Sequence, residues 1–111
     1  MELLVTIIKD YRKVESLLLG FVEADVTGAT VLEGQGMGQL LGDVPIMAGL
    51  KGLFPGSAHE SYVVITAMPS DKITECVALV EKICGPMDMP SAGIVFTLPV
   101  GLIRGMKDAL D

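Results

Sequence analysis

The stretch TGATVLEGQGMG, from Thr27 to Gly38, changes character in its middle. The part that ends at Gly34 carries β-branched residues and predicts a strand. Glycine recurs at Gly34, Gly36 and Gly38, which gives the backbone the freedom it needs where a strand becomes a loop. The stretch therefore predicts a strand that opens into a long loop.

The same glycines suggest a second interpretation, a cradle for phosphate. Successive backbone N–H groups in a glycine-rich turn can bind an anion. A P-loop, however, needs the pattern G-x-x-x-x-G-K-[ST] at the start of a helix, and a dinucleotide-binding turn also leads directly into a helix. Because Gly42 and Pro45 interrupt the residues that follow, we expect no helix there. A flexible hinge is the favoured interpretation.

Four strands are predicted from apolar runs that are rich in branched residues. They span Glu2–Ile8, Thr27–Gly34, Ser61–Met68 and Gly93–Val100. Helical spacing of apolar residues predicts two helices. Their buried positions are Val14, Leu17, Leu18 and Phe21 in the first helix, and Ile73, Val77, Val80 and Cys84 in the second. Asp10 is the predicted N-cap of the first helix, and Pro69 with Ser70 opens the second.

The predicted order is β-α-β-β-α-β, in which each half of the chain is a βαβ unit. It predicts an α+β fold of the ferredoxin-like, split βαβ kind, with residues 1–111 in a single domain and a long loop at about 37–60. Two helices cover only one face of a four-stranded sheet, yet most of the strands are apolar almost throughout. The simplest cover for the second face is another copy of the chain, which predicts a homo-oligomer.

Composition and charge exclude several classes of function. The chain has 111 residues, half of them apolar, and a formal net charge of −6. A nucleic-acid binder needs a basic face, so we expect no nucleic-acid partner. No apolar run approaches the roughly 18 residues of a membrane span, and the N-terminus lacks a secretory signal. Cys76 and Cys84 are interpreted as free thiols, and the predicted location is the cytoplasm.

The stretch from Thr27 to Gly38 resembles the motif T-G-[MA]-T-V-x-E-x-x-G-[FM]-G of the nitrogen-regulatory PII family. The segments IIKDYRKVESLL and GIVFTLPV resemble the family's first strand and helix and its last strand. The resemblance implies a signal-transduction protein that forms a trimer with its sheets facing inward. It also implies an effector site in the cleft between subunits, and a long T-loop that controls a partner such as a transporter or a metabolic enzyme.

The resemblance carries a set of ligand-binding residues onto this chain. They are Gly28, Ala29, Thr30, Gly36, Met37, Gly38 and Arg104. The glycine hinge lines the cleft in that family, so the hinge and the binding interpretations are compatible. The effector it suggests is an adenine nucleotide, and a less charged nucleotide, another small molecule or no ligand at all are the alternatives for this chain. We expect no catalytic residue, no metal ligands and no further cofactor.

The chain departs from the family at positions that contact phosphate or magnesium. Gln39 and Leu40 occupy the positions of an arginine and a glutamine, and Ile94 occupies that of a lysine. Of two closely spaced arginines near the end, only Arg104 is matched. No tyrosine occurs between Met37 and Glu60, so the usual nucleotidylation site is missing. These differences predict weakened binding of ATP and no magnesium-linked response to 2-oxoglutarate.

The long loop from Gly42 to Glu60 carries more apolar residues than solvent-exposed loops usually do. Its predicted partner-binding residues are Ile46, Met47, Leu50, Leu53 and Phe54. An alternative is a short helix that folds onto the body of its own trimer, because Ile46, Leu50 and Leu53 have helical spacing. Docking on a membrane surface is disfavoured because Lys51 is the only strong base in the loop.

Two further functional classes remain open from the sequence. Sulfur ligands at Cys84, Met87 and Met89, together with His59, suggest a trimer for metal binding or metal tolerance of the CutA type. The competing explanation is that Cys84 closes a buried helix face and the methionines fill gaps. A small enzyme on the same fold is the third class. The chain has a single histidine and no visible pair of base and nucleophile, which disfavours it.

Overall fold

The computed structural model describes residues 1–42, 60–87 and 93–106. These residues form a mixed α+β structure with a four-stranded antiparallel sheet and three α-helices. The strands are β1 (Glu2–Ile8), β2 (Thr30–Gly34), β3 (Ser61–Met68) and β4 (Ile94–Pro99). The helices are α1 (Tyr11–Glu23), α2 (Met37–Gly42) and α3 (Ile73–Cys84), and a short 3₁₀ turn at Ser70–Lys72 precedes α3.

Local chemistry sets both ends of α1. The side chain of Asp10 accepts a hydrogen bond from the Arg12 backbone N–H at 3.0 Å, which confirms the predicted N-cap. At the other end the Val26 N–H donates to the Phe21 carbonyl at 2.7 Å, and the Asp25 N–H donates to Val22 at 3.0 Å. These two bonds form a Schellman-type end, with Asp25 in the left-handed region at φ 62°. The turn occupies the residues after α1, so β2 begins at Thr30 rather than at the predicted Thr27.

The sheet has the strand order β2-β3-β1-β4, with antiparallel pairing between all neighbours. Val5 lies at its centre, opposite Ile65 on one side and Phe96 on the other. β2 pairs with β3 from Thr30 opposite Ile65 to Gly34 opposite Ser61. The four predicted strands are therefore present, with small differences in their bounds.

The hydrophobic core lies between one face of the sheet and the helices α1 and α3. Its fully buried members include Leu4 from β1, Phe21 from α1 and Val80 from α3. Of the residues predicted to be buried in the helices, Leu18, Ile73 and Val77 are partly buried and pack against this core. Cys76 was not predicted to face it, yet its side chain is fully buried there.

The second face of the sheet, which we call the open face, is also apolar. Strand alternation and the pairing register assign to it Leu3, Val5, Ile7, Leu32, Val63, Ile65, Ala67, Ile94, Phe96 and Leu98. Thr30, Gly34 and Ser61 occupy further positions of this face, in β2 and β3. None of these residues belongs to the core cluster. Along β4 the exposed fractions are 58% for Ile94, 42% for Phe96 and 47% for Leu98. No charged residue occupies a strand position of this face in the part of the chain that the structure describes.

The two long helices run antiparallel and are joined at their ends by lysines. The Lys72 Nζ donates a hydrogen bond to the carbonyl of Ala24, the C-cap of α1, at 2.7 Å. The Lys13 Nζ, in the first turn of α1, donates to the carbonyl of Cys84 at the end of α3 at 3.5 Å. A cation at a helix C-terminus is favourable because the last carbonyls carry partial negative charge. Each helix end is thus stabilised by a lysine from the beginning of the other helix.

The expectation that no helix follows the glycine run is wrong. α2 begins at Met37, directly after Gly36, and the Leu40 N–H donates to the Gly36 carbonyl at 3.1 Å. The described part of α2 extends to Gly42, so this glycine does not prevent the helix. The loop predicted for residues 37–60 therefore begins with a short helix.

None of the helices within residues 1–42, 60–87 and 93–106 is long and apolar enough to cross a membrane.

Candidate functional site

A cleft of about 530 Å³ lies at the end of the sheet where β2 begins and β3 ends. The turn after α1 contributes Asp25, Val26, Thr27 and Gly28 to its wall. The end of β3 and the 3₁₀ turn contribute Ala67, Met68, Pro69 and Lys72, and the segment after β4 contributes Ile103, Gly105 and Met106. The volume is within the range of small-molecule sites in proteins.

Pairing at the end of the sheet brings these distant segments together. The Val100 N–H donates to the Met1 carbonyl at 3.1 Å, so the chain after β4 leaves the sheet beside the start of β1. Glu2 is opposite Met68 in β3 and opposite Pro99 in β4. Residues that follow Pro99 and residues that precede Thr30 therefore lie at the same end of the sheet, on its opposite edge strands. The segment after β4 reaches across this end to the cleft wall.

One predicted ligand-binding residue lines this cleft, and a second lies next to its wall in the chain. Gly28 lines it directly, and Arg104 lies between Ile103 and Gly105, which both line it. Arg104 is exposed, and within residues 1–42, 60–87 and 93–106 no hydrogen bond or ion pair engages it. A guanidinium in that position is available for an anionic group of a ligand.

The cleft combines apolar and polar groups. Ile103 and Met106, which are 39% and 46% exposed, provide apolar surface of the kind that buries a flat ring, whereas Val26 and Met68 in the wall are buried. Asp25 is exposed at the rim, and Lys72 is held at the Ala24 carbonyl by its 2.7 Å hydrogen bond. The Lys72 ammonium is therefore engaged by the end of α1. Within the described residues, Arg104 is a cation next to the cleft that has no hydrogen-bond or ion-pair partner.

The remaining predicted ligand-binding residues lie elsewhere in the chain. Ala29 packs against the hydrophobic core, and Thr30 is exposed on the open side of the sheet. Gly36, Met37 and Gly38 follow the far end of β2. From Thr30 to Gly34 the strand advances about 3.3 Å per residue, or roughly 13 Å. Within a single chain, the predicted ligand-binding residues therefore form two groups, one at each end of β2.

Two tyrosines lie near the end of β2 that leads to Gly36. The rings of Tyr11 and Tyr62 are 5.3 Å apart at an interplanar angle of 60°. Tyr62 is opposite Glu33 in the sheet and follows Glu60. Burial, and then the negative charges of Glu60 and Glu33, raise the pKa of the Tyr62 phenol above its usual 10.0. This phenol is therefore protonated at neutral pH and is not activated as a nucleophile.

The departures from the PII motif have definite places in the structure. Gln39 and Leu40 lie in α2, and the Leu40 side chain is 50% exposed. Ile94 lies at the start of β4, opposite Ile7, on the open face. No cationic side chain replaces the missing arginine or lysine at these three positions.

The sulfur-bearing residues that suggested a metal site are largely in the core. Cys76 and Cys84 are free and buried, and burial raises the pKa of both thiols above the usual 9.0. Met87 is partly buried against the core cluster. No group of three or more histidine, cysteine or acidic residues that could hold a metal occurs among the described residues. His59 and Met89 lie outside those residues.

The sequence did not indicate how the wall of the cleft is built. Lys72, Ile103 and Met106 were not predicted as site residues, and no local pattern marks them as neighbours of Gly28. Ile103 and Met106 reach it because β4 pairs with β1, and Lys72 reaches it because the 3₁₀ turn follows the end of β3. The predicted partner-binding residues Ile46, Met47, Leu50, Leu53 and Phe54 lie outside the described residues.

Comparison with known proteins gives no assignment for the chain. No family model matches the sequence, and no curated protein matches it.

Proposed function

We propose that this chain is a PII-like regulatory protein of the cytoplasm, which binds a small effector between subunits and controls a partner protein through its long loop. An adenine nucleotide is the first candidate for the effector. The proposal assigns the chain a binding role and no catalytic one. The observation that carries it is the cleft in which Gly28 and the segment bearing Arg104 come together.

The proposed fold is the ferredoxin-like, split βαβ arrangement. Antiparallel strands in the order β2-β3-β1-β4, with α1 and α3 packed on one face, support it. α2 is an addition to that plan, between β2 and β3. The sequence resemblance from Thr27 to Gly38 supports the narrower assignment to the PII type.

The proposed assembly is a trimer with the open faces directed inward. Support comes from the apolar character of the whole face and from the exposure of Ile94, Phe96 and Leu98 along β4. Burial of a large apolar side chain contributes roughly 1.5–3 kcal/mol. Four large apolar side chains of this face are more than 40% exposed, namely Leu32, Ile94, Phe96 and Leu98, so their burial would favour association. The number three comes from the family resemblance.

A site between subunits would reunite the two separated groups of residues. Gly28 and Arg104 lie at one end of β2, and Gly36 to Gly38 follow the other end. Two groups on opposite ends of one strand do not contact a single nucleotide within the same chain. The cleft of one subunit and the glycine turn of its neighbour can do so if the trimer places them side by side.

The proposed chemistry favours a nucleotide with fewer phosphates. Ile103 and Met106 in the cleft wall suit the adenine ring, and Arg104, which is exposed next to Ile103 in the chain, suits one phosphate. Gln39, Leu40 and Ile94 supply no cation for further phosphates and no ligand for magnesium. AMP or ADP is therefore expected to bind better than magnesium-bound ATP.

The proposed control of a partner is a shift between loop arrangements. An effector that binds one arrangement of the loop better increases its population by the difference in affinity. The loop would then present Ile46, Met47, Leu50, Leu53 and Phe54 to a transporter or a metabolic enzyme. α2 connects the glycine turn to this loop and is the element through which effector binding would reach it.

Calorimetry on the purified protein tests the effector. AMP, ADP and ATP are titrated with and without magnesium and 2-oxoglutarate. We expect AMP or ADP to bind, and Arg104→Ala to weaken that binding by about 1–3 kcal/mol, as for a charge-assisted hydrogen bond. Arg12→Ala is the matched control, because the Arg12 side chain is 91% exposed on α1, away from the cleft.

Three results would contradict the proposal in different ways. If none of the three nucleotides binds at millimolar concentration, an adenine nucleotide is not the effector. If Arg104→Ala and Arg12→Ala change the nucleotide affinity equally, the cleft is not the binding site. Tight magnesium-dependent synergy between ATP and 2-oxoglutarate would show that Gln39, Leu40 and Ile94 do not weaken the site.

A further inference from the structure

The sheet ends in two edge strands, β2 and β4, each of which has a single neighbour in the part of the chain that the structure describes. β4 carries no charged residue, and it pairs with β1 from Ile94 to Pro99 without a bulge. Edge strands of folded proteins usually carry charges or bulges, which prevent them from pairing with another chain. The edge formed by β4 lacks this protection and is therefore suited to such pairing.

The contact at the end of β4 shows which of its backbone groups face β1. The Val100 N–H donates to the Met1 carbonyl at 3.1 Å, and these two residues continue the register in which Glu2 is opposite Pro99. Met1 and Val100 are therefore a hydrogen-bonded pair. Because hydrogen-bonded and non-hydrogen-bonded pairs alternate along antiparallel strands, the backbone of Pro99 faces outward. A proline is tolerated at that position because no bond to β1 is lost there.

The same alternation assigns the other residues of β4. Ile94, Phe96 and Leu98 bond to β1 through their backbone groups. The N–H and C=O groups of Val95 and Thr97 face outward, where the described residues supply no strand to pair with them. β4 thus offers two donors and two acceptors to another strand.

The two edges of the sheet suit each other in direction and length. Since all neighbouring strands are antiparallel, β2 and β4 point in opposite directions. Rotation about an axis along the strands preserves these directions, so β4 of one subunit meets β2 of the next as an antiparallel partner. β2 has five residues and β4 has six. A head-to-tail contact of this kind closes into a ring when it is repeated by rotation.

The width of the sheet determines how many subunits close the ring. Neighbouring strands are about 4.8 Å apart, so four strands make a sheet roughly 19 Å wide. Three such sheets, arranged as the sides of a triangle, each lie about 5.5 Å from the axis, close to half the roughly 10 Å at which sheets pack face to face. Four sheets in a square would each lie roughly 9.6 Å from the axis and leave an unfilled centre. Two sheets packed face to face would leave the edges unpaired.

We propose that the partner at each edge of the sheet is a second copy of this chain, with β4 of one subunit paired to β2 of the next in a closed ring of three sheets. The apolar side chains of the open faces fill the interior of the ring. This inference rests on the trimer proposed above and adds how its subunits are joined. Packing distance gives the number three by a route that does not use the family resemblance.

Hydrogen exchange at single residues, followed by NMR, tests the edge pairing. The reference is Phe96→Asp, which places a carboxylate on the open face and should be a monomer. We expect the Val95 and Thr97 N–H groups to exchange at least about tenfold more slowly in the assembled protein than in this variant, because only assembly gives them acceptors. The Leu98 N–H bonds to β1 within the chain, so its protection in both proteins verifies that β4 stays in the sheet.

A pair of substitutions at Thr97 tests the same contact by mass. Thr97→Pro removes an outward N–H and keeps the bonds between β4 and β1, whereas Thr97→Val, the matched control, keeps that N–H. Light scattering over a dilution series should show Thr97→Pro dissociating at a protein concentration at least about tenfold higher than Thr97→Val does. Circular dichroism verifies that both variants fold.

The possible results separate the ring from the function proposed above. If the protein is a trimer whose Val95 and Thr97 N–H groups exchange as fast as in Phe96→Asp, the edge pairing is wrong and the trimer stands. Equal dissociation of Thr97→Pro and Thr97→Val would overturn the edge pairing in the same way. A monomeric protein would overturn the trimer and the ring together. Nucleotide binding is measured in a separate experiment, and its failure would leave the ring in place.

Discussion

At the scale of single residues, Gly93 is the position that tolerates substitution least among the described glycines. It has φ 117°, and a Cβ there would overlap the backbone carbonyl oxygen of Ile7 in the neighbouring strand. Residues other than glycine rarely adopt this conformation, and the obstacle is backbone rather than a movable side chain. Gly93 therefore sets the entry of the chain into β4 beside β1.

Gly93→Ala should lower the free energy of unfolding by at least about 2 kcal/mol, from strain and overlap together. Urea denaturation at a fixed protein concentration measures it. Gly101→Ala is the control, since a Cβ at Gly101 meets no atom within 4 Å. The free energy of unfolding of that variant should be unchanged or slightly higher. A Gly93→Ala protein as stable as the control would show that the β1–β4 junction accommodates a side chain.

At the scale of elements, the antiparallel helices depend on each other through their ends. Lys72 bonds to the C-cap of α1, and Lys13 bonds to the last carbonyl of α3. The first bond is shorter, 2.7 Å against 3.5 Å, so we expect it to contribute more to the stability of the fold. It also holds the turn after α1, whose residues Asp25 and Gly28 form part of the cleft wall.

Lys72→Met should destabilise the protein by about 1 kcal/mol, because a helix end loses a charge-assisted hydrogen bond. Hydrogen exchange at Ala24, Asp25 and Val26 should accelerate more than exchange elsewhere. Lys82→Met is the control, because within the described residues Lys82 makes no hydrogen bond. If both variants lose the same stability, with no local acceleration at residues 24–26, then the bond to Ala24 does not hold this turn.

At the scale of the whole molecule, the two sides of the sheet differ in what covers them. α1 and α3 bury one side, and the open face presents a continuous apolar surface. Surfaces of this kind usually mark an interface. The outer side of the helix layer, by contrast, mixes the exposed Leu19 with charged residues.

Phe96→Asp should convert the proposed trimer into monomers, because assembly would bury a carboxylate in an apolar interface. Light scattering coupled to size exclusion should give three times the 11.7 kDa chain mass for the unchanged protein, and one chain mass for the variant. Leu19→Asp, on the opposite side of the molecule, should leave the mass unchanged. If the protein without substitutions is a monomer at micromolar concentration, both the proposed trimer and the proposed site between subunits are wrong.

The sequence by itself determined the elements of this protein. Apolar runs rich in branched residues predict the four strands, helical spacing of apolar residues predicts the two long helices, and Asp10 predicts the start of α1. These signals come from residues within a few positions of each other. The short α2 was missed because Gly42 and Pro45 suggest a break, whereas the described part of α2 extends to Gly42. Gly28 was predicted as a site residue through the motif in which it occurs.

Tertiary structure alone decided how the predicted site residues are distributed. The order and pairing of the strands bring the segment around Arg104 to the cleft wall that contains Gly28, some 75 positions away in the chain. Lys72, which follows β3, lines the same cleft and bonds to the Ala24 carbonyl at the end of α1. The same sheet separates Gly28 from Gly36 by the length of β2. No local pattern encodes these distances, since they follow from strand order and register, which the whole set of packed elements selects together.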